Sequence, residues 1–113
     1  MLVFEPDLMF SSRVESAAAK FGLQTKVTIT IDELQTAILE SLPKALLVNL
    51  DLFPDVGSSF VASVHERCRM IGYYSHVDSK LAARALANGF DQVMPRRTFM
   101  DKLNEILADL SSS

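Results

Sequence analysis

Apolar and polar residues follow one another along the chain in blocks that predict strands alternating with helices. Five short runs rich in apolar and β-branched residues are bounded by proline, glycine or polar residues, and we predict them as strands: 2–4, 23–29, 45–50, 69–75 and 90–95. Apolar residues recur at helical spacing after each run, which predicts helices over 10–21, 31–42, 58–67, 78–88 and from 98 onward. Five strand-helix pairs in strict alternation indicate an α/β fold with a parallel sheet covered by helices on both faces.

Two of these helices have sequence signals at their ends. Thr30, followed three residues later by Glu33, predicts the start of the second helix, whose apolar positions include Leu34, Ile38 and Leu42. Thr98 is the predicted start of the last helix, and the apolar stripe of that helix is Phe99, Leu103, Ile106, Leu107 and Leu110.

In parallel sheets, functional groups collect beyond the carboxyl ends of the strands. That rule selects four short segments as the candidate site: Glu5–Asp7, Asn49–Asp51, Tyr74–His76 and Met94–Arg97.

Composition limits the classes of function. The 113 residues, 49% of them hydrophobic, suit one domain over 1–113, with 110–113 predicted as a frayed tail. A net charge of −3 gives no basic footprint for direct nucleic-acid binding, and no apolar run approaches the length that a bilayer requires. With Cys68 as the single cysteine and no pattern typical of a signal peptide, we expect a cytoplasmic protein that binds neither nucleic acid nor membrane.

Three stretches of sequence carry a resemblance to a known family: LVFEPDLMFSSRV, PKALLVNLDLFPDVG and YSHVDSKLAARALANGFDQV. In this order and spacing they resemble the receiver domains (CheY-like) of bacterial response regulators in two-component signal transduction, over nearly the whole chain. The resemblance implies a single flavodoxin-like (βα)5 domain with a doubly wound sheet in the strand order 2-1-3-4-5.

The resemblance also implies a particular acidic site. In receivers, two acidic residues after the first strand and an aspartate at the end of the third hold Mg²⁺, and that aspartate accepts the phosphoryl group. A hydroxyl residue after the fourth strand and a lysine after the fifth contact the phosphoryl oxygens. Hard oxygen ligands suit Mg²⁺, and a carboxylate is needed to form an acyl phosphate.

This chain departs from that site at the first and third strands. Glu5 and Pro6 align with the acidic pair, and Asp7 follows one residue late. Asn49 aligns with the phosphoacceptor, and Asp51 lies two residues beyond it. Asparagine has the shape of aspartate but is neutral, so its side chain cannot take the phosphoryl group.

The later strands depart as well. Tyr74 aligns with the hydroxyl residue, with Ser75 beside it, and Arg96 aligns with the lysine. A second alignment takes Pro95 as the proline that follows the family's lysine and puts Met94 at the lysine position; both alignments stay open.

The resemblance therefore indicates a degenerate receiver, without catalytic residues, bound metal or cofactor, that acts through phosphorylation-independent protein contacts. The family's usual partner surface comprises the fourth helix, fifth strand and fifth helix. By resemblance, the partner is another signalling protein or a second copy of the chain, and the contacts are Lys80, Arg84, Asn88, Asp91, Arg96, Arg97 and Lys102.

Three alternatives remain at this point. Asp51 is a phosphoacceptor in a shifted register, with Glu5 and Asp7 around a weakly bound Mg²⁺; or the strand-end crevice holds a small ligand, although the chain lacks a glycine-rich phosphate loop. The third alternative is a purely structural role, in which Asn49 forms a hydrogen bond with the neighbouring strand-end loop.

Overall fold

The computed structural model describes residues 1–52, 67–75 and 79–112. Within these ranges, one parallel sheet has the order β2-β1-β3-β4-β5. Its strands are β1 Leu2–Phe4, β2 Lys26–Thr28, β3 Ala45–Asn49, β4 Arg69–Tyr74 and β5 Gln92–Pro95. The predicted α/β fold and the strand order implied by the resemblance are both confirmed.

The described ranges contain helices on both faces of the sheet. They are α1 Leu8–Lys20, α2 Ile31–Glu40, α3 Ser79–Ala87, α4 Arg96–Asp101 and α5 Leu103–Ser111. The helix predicted over 58–67 lies almost wholly outside the described residues. None of the described helices has the length and apolar character that a membrane crossing requires.

Alternate side chains of the strands form two apolar cores, because successive residues of a strand point to opposite faces. Val3, Leu47, Ile71 and Tyr73 pack against the apolar residues of α1, α4 and α5. On the opposite face, residues of the same strands pack against α2 and α3: Leu2, Phe4, Leu46, Val48 and Met70. The central strand β3 is buried along its whole length, as its uninterrupted apolar sequence predicts.

The start of α2 agrees with its sequence signal, but its end does not. The Thr30 hydroxyl oxygen accepts a hydrogen bond from the Glu33 N–H at 3.1 Å. The helix ends at Glu40, three residues before Pro43, because the residue before a proline is disfavoured in helical conformation. Leu42 therefore lies outside the helix with 39% of its surface exposed, and its predicted place on the helix is wrong.

The last predicted helix is two helices in the structure. α4 begins at Arg96, directly after Pro95, and the Thr98 side chain does not cap it. The chain turns at Lys102, and α5 continues to Ser111 with Leu110 buried, so helix extends into the segment predicted as a frayed tail. The predicted apolar stripe is confirmed, since all its members are buried: Phe99, Leu103, Ile106, Leu107 and Leu110.

Candidate functional site

The carboxyl ends of β1, β3 and β4 bring three polar side chains together on one face of the sheet. The register pairs Phe4 with Val48 and Asn49 with Tyr73, so Glu5 follows its strand at the level of Asn49. Glu5, Asn49 and Tyr73 are all less than 5% exposed. We call these three residues the Glu5 cluster.

Glu5 is the centre of this cluster and is completely buried. The Asn49 Nδ2 group donates to both carboxylate oxygens, at 3.2 Å to Oε1 and 3.0 Å to Oε2. The Tyr73 hydroxyl donates to Oε1 at 2.8 Å, and the Asp7 N–H donates to Oε2 at 3.1 Å. A buried carboxyl group is costly unless donors surround it, and Glu5 has three.

Asn49 is fixed at both ends of its side-chain amide. While Nδ2 donates to Glu5, Oδ1 accepts a hydrogen bond from the Asp51 N–H at 3.0 Å. Asn49 thus bonds the strand-end loop, as expected for a structural role, and also bonds the carboxyl group of the first strand. An aspartate in this position would face Glu5 with a second carboxylate and without an amide donor.

Tyr73 closes the cluster from the fourth strand. Its ring stacks on Phe99 with centroids 4.6 Å apart and lies 5.1 Å from the ring of Phe10. Burial, followed by the charge and hydrogen bond of Glu5, raises the pKa of the Tyr73 phenol well above its ordinary value, so the hydroxyl remains a donor.

The sequence alignment named Tyr74 and missed Tyr73. Tyr73 is identified by its pairing with Asn49 across the strands. The alternation of side chains along the strand agrees, since Ile71 and Tyr73 point to the same face of the sheet. Tyr74 faces the other side and is half-buried.

Asp7 forms a helix cap and an ion pair, whereas the resemblance assigns metal binding to the acidic residues after the first strand. Its Oδ1 accepts from the N–H groups of Met9 and Phe10 at 3.0 and 3.3 Å, which caps the start of α1. Its Oδ2 accepts from the Arg96 guanidinium at 3.2 Å. The Phe10 N–H and the Arg96 side chain hold the pKa of the Asp7 carboxyl below its usual range. Pro6 contributes no side-chain ligand between the two acidic residues.

Asp51 joins the ends of β3 and β4 at the rim of the site. Its Oδ2 accepts a hydrogen bond from the Ser75 N–H at 2.8 Å, and the residue is half-buried. Glu5, Asp7 and Asp51 each bond different partners. Among the described residues, no group of three or more histidine, cysteine, aspartate or glutamate side chains is gathered to hold a metal ion.

The fifth strand brings Met94 and Arg96 near the cluster in different ways. Met94 pairs with Tyr73 and packs in the same core. Arg96 lies beyond the strand, at the start of α4, and its guanidinium carbon is 3.8 Å from the centre of the Phe10 ring. The strand position level with Asn49 therefore belongs to Met94, while Arg96 provides the positive charge that reaches Asp7.

The residues predicted to contact a partner lie mostly on the surface. Lys80, Arg84, Arg97 and Lys102 are exposed. The side chains of two others are hydrogen-bonded within the chain: Asn88 donates to the Arg84 carbonyl at 2.7 Å, and the Asp91 carboxylate accepts from the Met70 N–H at 2.8 Å.

Cys68 is buried beside β4. Burial, with a smaller effect of the Asp91 charge, raises the pKa of its thiol to about 11, so little of the reactive thiolate forms near neutral pH.

No protein-family model matches the sequence, and no curated protein matches it by sequence. Several solved structures are similar in fold. An orphan response regulator of H. pylori superposes with a TM-score of 0.80 at 14% identity, covering 98% of this chain and 92% of that one. A response regulator from Thermotoga maritima gives 0.80 at 16% identity, covering 99% and 96%.

A third similar structure is an atypical orphan response regulator described as having a phosphorylation-independent regulatory mechanism. It superposes with a TM-score of 0.74 at 14% identity, covering 96% of this chain and 93% of that one. Together with the strand order and the helices on both faces, these likenesses show that the chain has the fold of the response-regulator receiver domains (CheY-like).

Proposed function

We propose that this protein is an atypical member of the receiver family that signals through protein contacts without aspartyl phosphorylation. The observation that carries the proposal is the contact of the Asn49 amide with both carboxylate oxygens of Glu5. In an active receiver, this part of the site belongs to a metal ion and an aspartate. Here a neutral amide faces the acidic residue of the first strand.

The hydrogen bonds of Glu5 oppose metal binding. Mg²⁺ requires near-octahedral oxygen ligands at about 2.0–2.1 Å and keeps several of its waters. To ligate Mg²⁺, Glu5 would have to give up donors from Asn49, Tyr73 or Asp7 that now lie 2.8–3.2 Å from its oxygens. A displaced donor of Asn49 or Tyr73 would be left unsatisfied in a buried site, which is costly.

The chemistry of the third strand leads to the same conclusion. An acyl phosphate forms on a carboxylate, and the side chain of Asn49 is an amide whose two ends are both hydrogen-bonded. A receiver changes conformation because the phosphoryl group stabilises one of its two states more than the other. Without that group, nothing at this site shifts the equilibrium between the states. The domain would then present one surface constitutively.

The similar structures support this proposal by analogy, since they include an orphan regulator and an atypical one with a phosphorylation-independent mechanism. The partner, a signalling protein or a second copy of the chain, would contact four exposed basic residues: Lys80, Arg84, Arg97 and Lys102. By the same analogy, the protein is a signalling module and not an enzyme.

A second candidate function rests on Asp51. This carboxylate lies at the end of β3, is half-buried, and accepts from the backbone of the hydroxyl residue Ser75. A phosphoacceptor in a shifted register would need a carboxylate in such a position.

Intact mass after incubation with Mg²⁺ and a small phosphodonor separates the two functions. We expect no phosphorylated species from the wild type. A phosphoryl adduct that Asp51→Asn abolishes and Asn49→Ala leaves would replace the first proposal by the second.

A further inference from the structure

A groove with arginines on its walls runs beside the Glu5 cluster, between α1 and the start of α4. It has a volume of about 460 Å³, and its lining includes Phe10, Arg13, Tyr74, Arg96, Arg97 and Met100. A smaller recess of about 230 Å³ adjoins it and shares Phe10, Arg13 and Arg96 with it. We call the two together the arginine groove.

The charge of this groove is opposite to that of the whole protein. Three guanidinium groups line it, whereas the chain carries a net charge of −3. Asp7, in the smaller recess, is the single carboxylate among the described lining residues, and it is already bonded to Arg96. Arg13 and Arg97 are exposed on the walls, so the groove presents an excess of positive charge to solvent.

The rest of the lining is apolar or aromatic. Phe10 is buried and supports the Arg96 guanidinium at 3.8 Å, an arrangement that holds the arginine in place through a cation–π contact. Met100 and Tyr74 are partly buried, and Met9, in the smaller recess, is 78% exposed. Arginine, methionine and aromatic residues are the types enriched where proteins contact each other.

We infer that the arginine groove binds an acidic peptide segment of a partner protein. Carboxylates of the segment pair with Arg13 and Arg97, whose planar guanidinium groups match carboxylates in two-point contacts. An apolar side chain between them packs on Phe10 and Met100. This inference rests on the proposed function, which it deepens by naming the chemistry of the partner and the surface that the partner contacts.

The shape of the groove favours a segment of chain over a small anion. The two recesses share a wall around Arg96, so an extended segment can occupy both, whereas one phosphate would fill only part of either. The groove also differs from the surface implied by resemblance, since it uses α1 and lacks Lys80, Arg84 and Lys102 among its described lining residues.

A random peptide library displayed on phage, selected against the wild-type protein, tests this inference without knowledge of the partner. We expect the enriched peptides to carry two or more acidic residues around an apolar one. Amide shifts caused by the free peptide should fall on Phe10, Arg13, Arg97 and Met100. Inorganic phosphate and ATP at equal concentration are the competing probes.

Two double variants supply the control. Arg13→Gln with Arg97→Gln removes two charges from the groove and should weaken peptide binding about tenfold, since each exposed ion pair contributes up to ~1 kcal/mol. Lys20→Gln with Lys44→Gln removes the same charge elsewhere and should leave the affinity within about twofold. All four side chains are exposed, so we expect both variants to fold, which circular dichroism checks.

Three results would overturn the inference: no enriched acidic peptide, equal binding by the two double variants, or displacement of the peptide from the groove by phosphate or ATP at equal concentration. The proposed function is tested separately in the same samples by intact mass with Mg²⁺ and phosphodonor. If the wild type binds no acidic peptide and forms no phosphoryl adduct, the result counts against the groove alone. An adduct on Asp51 counts against phosphorylation independence.

Discussion

Glu5 is a completely buried carboxyl group whose hydrogen-bond partners lie within the chain itself. Its carboxyl group is satisfied by the Asn49 amide, the Tyr73 hydroxyl and the Asp7 N–H, all from this chain. A metal site leaves carboxylate oxygens available to a cation, whereas here internal donors approach both. Asn49 and Tyr73 act together, because each bonds the same Oε1 atom.

Asn49→Asp tests this interpretation directly. The substitution replaces an amide donor with a carboxylate about 3 Å from Glu5, so two like charges share a buried site. We expect the free energy of unfolding in EDTA to fall by about 1–3 kcal/mol, and added Mg²⁺ to recover part of it. Urea denaturation with and without Mg²⁺ measures both effects, with the wild type as the control that Mg²⁺ leaves unchanged. Equal stability of variant and wild type in EDTA would contradict the role given to the Asn49 amide.

Tyr73→Phe removes one donor and keeps the aromatic stack on Phe99. Glu5 then has two donors in a buried environment, and we expect a loss of about 1–2 kcal/mol in urea denaturation at neutral pH. Tyr74→Phe is the matched control, because that tyrosine has no place in the Glu5 cluster, and it should change stability by less than about 0.5 kcal/mol. Comparable losses of stability in the two variants would show that the Tyr73 hydroxyl does not stabilise the buried Glu5.

The raised pKa of Tyr73 also predicts a dependence on alkaline pH. Below about pH 10 the phenol is protonated in both states, so its full contribution to stability is present. Above that pH the unfolded state loses the proton and the folded state keeps it, so stability falls by up to ~1.4 kcal/mol per pH unit. Denaturation between pH 9 and about 11 should show a steeper loss for the wild type than for Tyr73→Phe. Parallel curves would show that Tyr73 titrates alike in both states.

The alignment of single residues identified two of the three residues of the Glu5 cluster. The change at Asn49 is visible in the sequence because it occupies a position with a defined expected residue. Tyr73 is not visible in that way, because its role depends on the pairing of β3 with β4 and on the α1 face of the sheet. Asp7 and Asp51 look like candidate ligands in the sequence, and only the structure shows that they bond backbone N–H groups.

At the scale of elements, β4 packs closely against Leu50, the residue that follows β3, because Gly72 has no side chain. A Cβ atom added at Gly72 would lie 2.7 Å from Cδ1 of Leu50, closer than unbonded carbons approach. We expect Gly72→Ala to cost about 1–3 kcal/mol through overpacking. In a double variant with Leu50→Ala, the two losses should be less than additive, because the smaller side chain makes room. Additive losses in a double-mutant cycle would refute this contact.

The start of α1 depends on two separate functions of Asp7. Asp7→Asn keeps the capping oxygen and removes the ion pair with Arg96, whereas Asp7→Ala removes both. The thermal midpoint should therefore decrease in the order wild type, Asp7→Asn, Asp7→Ala. Since the folded-state pKa of Asp7 is lowered, its contribution is present above about pH 4 and is lost as pH falls through the folded-state value. A pH titration that shows the same acid sensitivity in wild type and Asp7→Asn would contradict this.

Local signals predicted elements well where they act within one turn. Thr30 caps α2 because its hydroxyl reaches the Glu33 N–H within the same turn. Thr98 fails as a start signal because Pro95 lies three residues earlier and α4 begins directly after it. The break at Lys102 has no sequence signal, since the apolar stripe continues across it from Phe99 to Leu103.

Over the whole molecule, the alternation of strands and helices predicted a parallel α/β fold, and the resemblance added the strand order that the structure confirms. This succeeds because burial on two faces of a parallel sheet leaves long apolar runs that differ in period from the amphipathic helices. What the sequence could not supply is which polar strand ends touch one another, since those contacts join residues as far apart as 89 positions.

The measurement that tests the central claim most directly is the amide NMR spectrum of the wild type during titration with Mg²⁺ and beryllofluoride, a phosphoryl mimic. Because internal donors satisfy Glu5 and an amide replaces the acceptor, we expect no saturable shifts at Glu5, Asn49, Asp51 or Ser75. Asn49→Asp, measured in parallel, should gain such shifts. Saturable shifts of the wild type at these residues, abolished by Asp51→Asn, would show a working phosphoacceptor site and contradict the account.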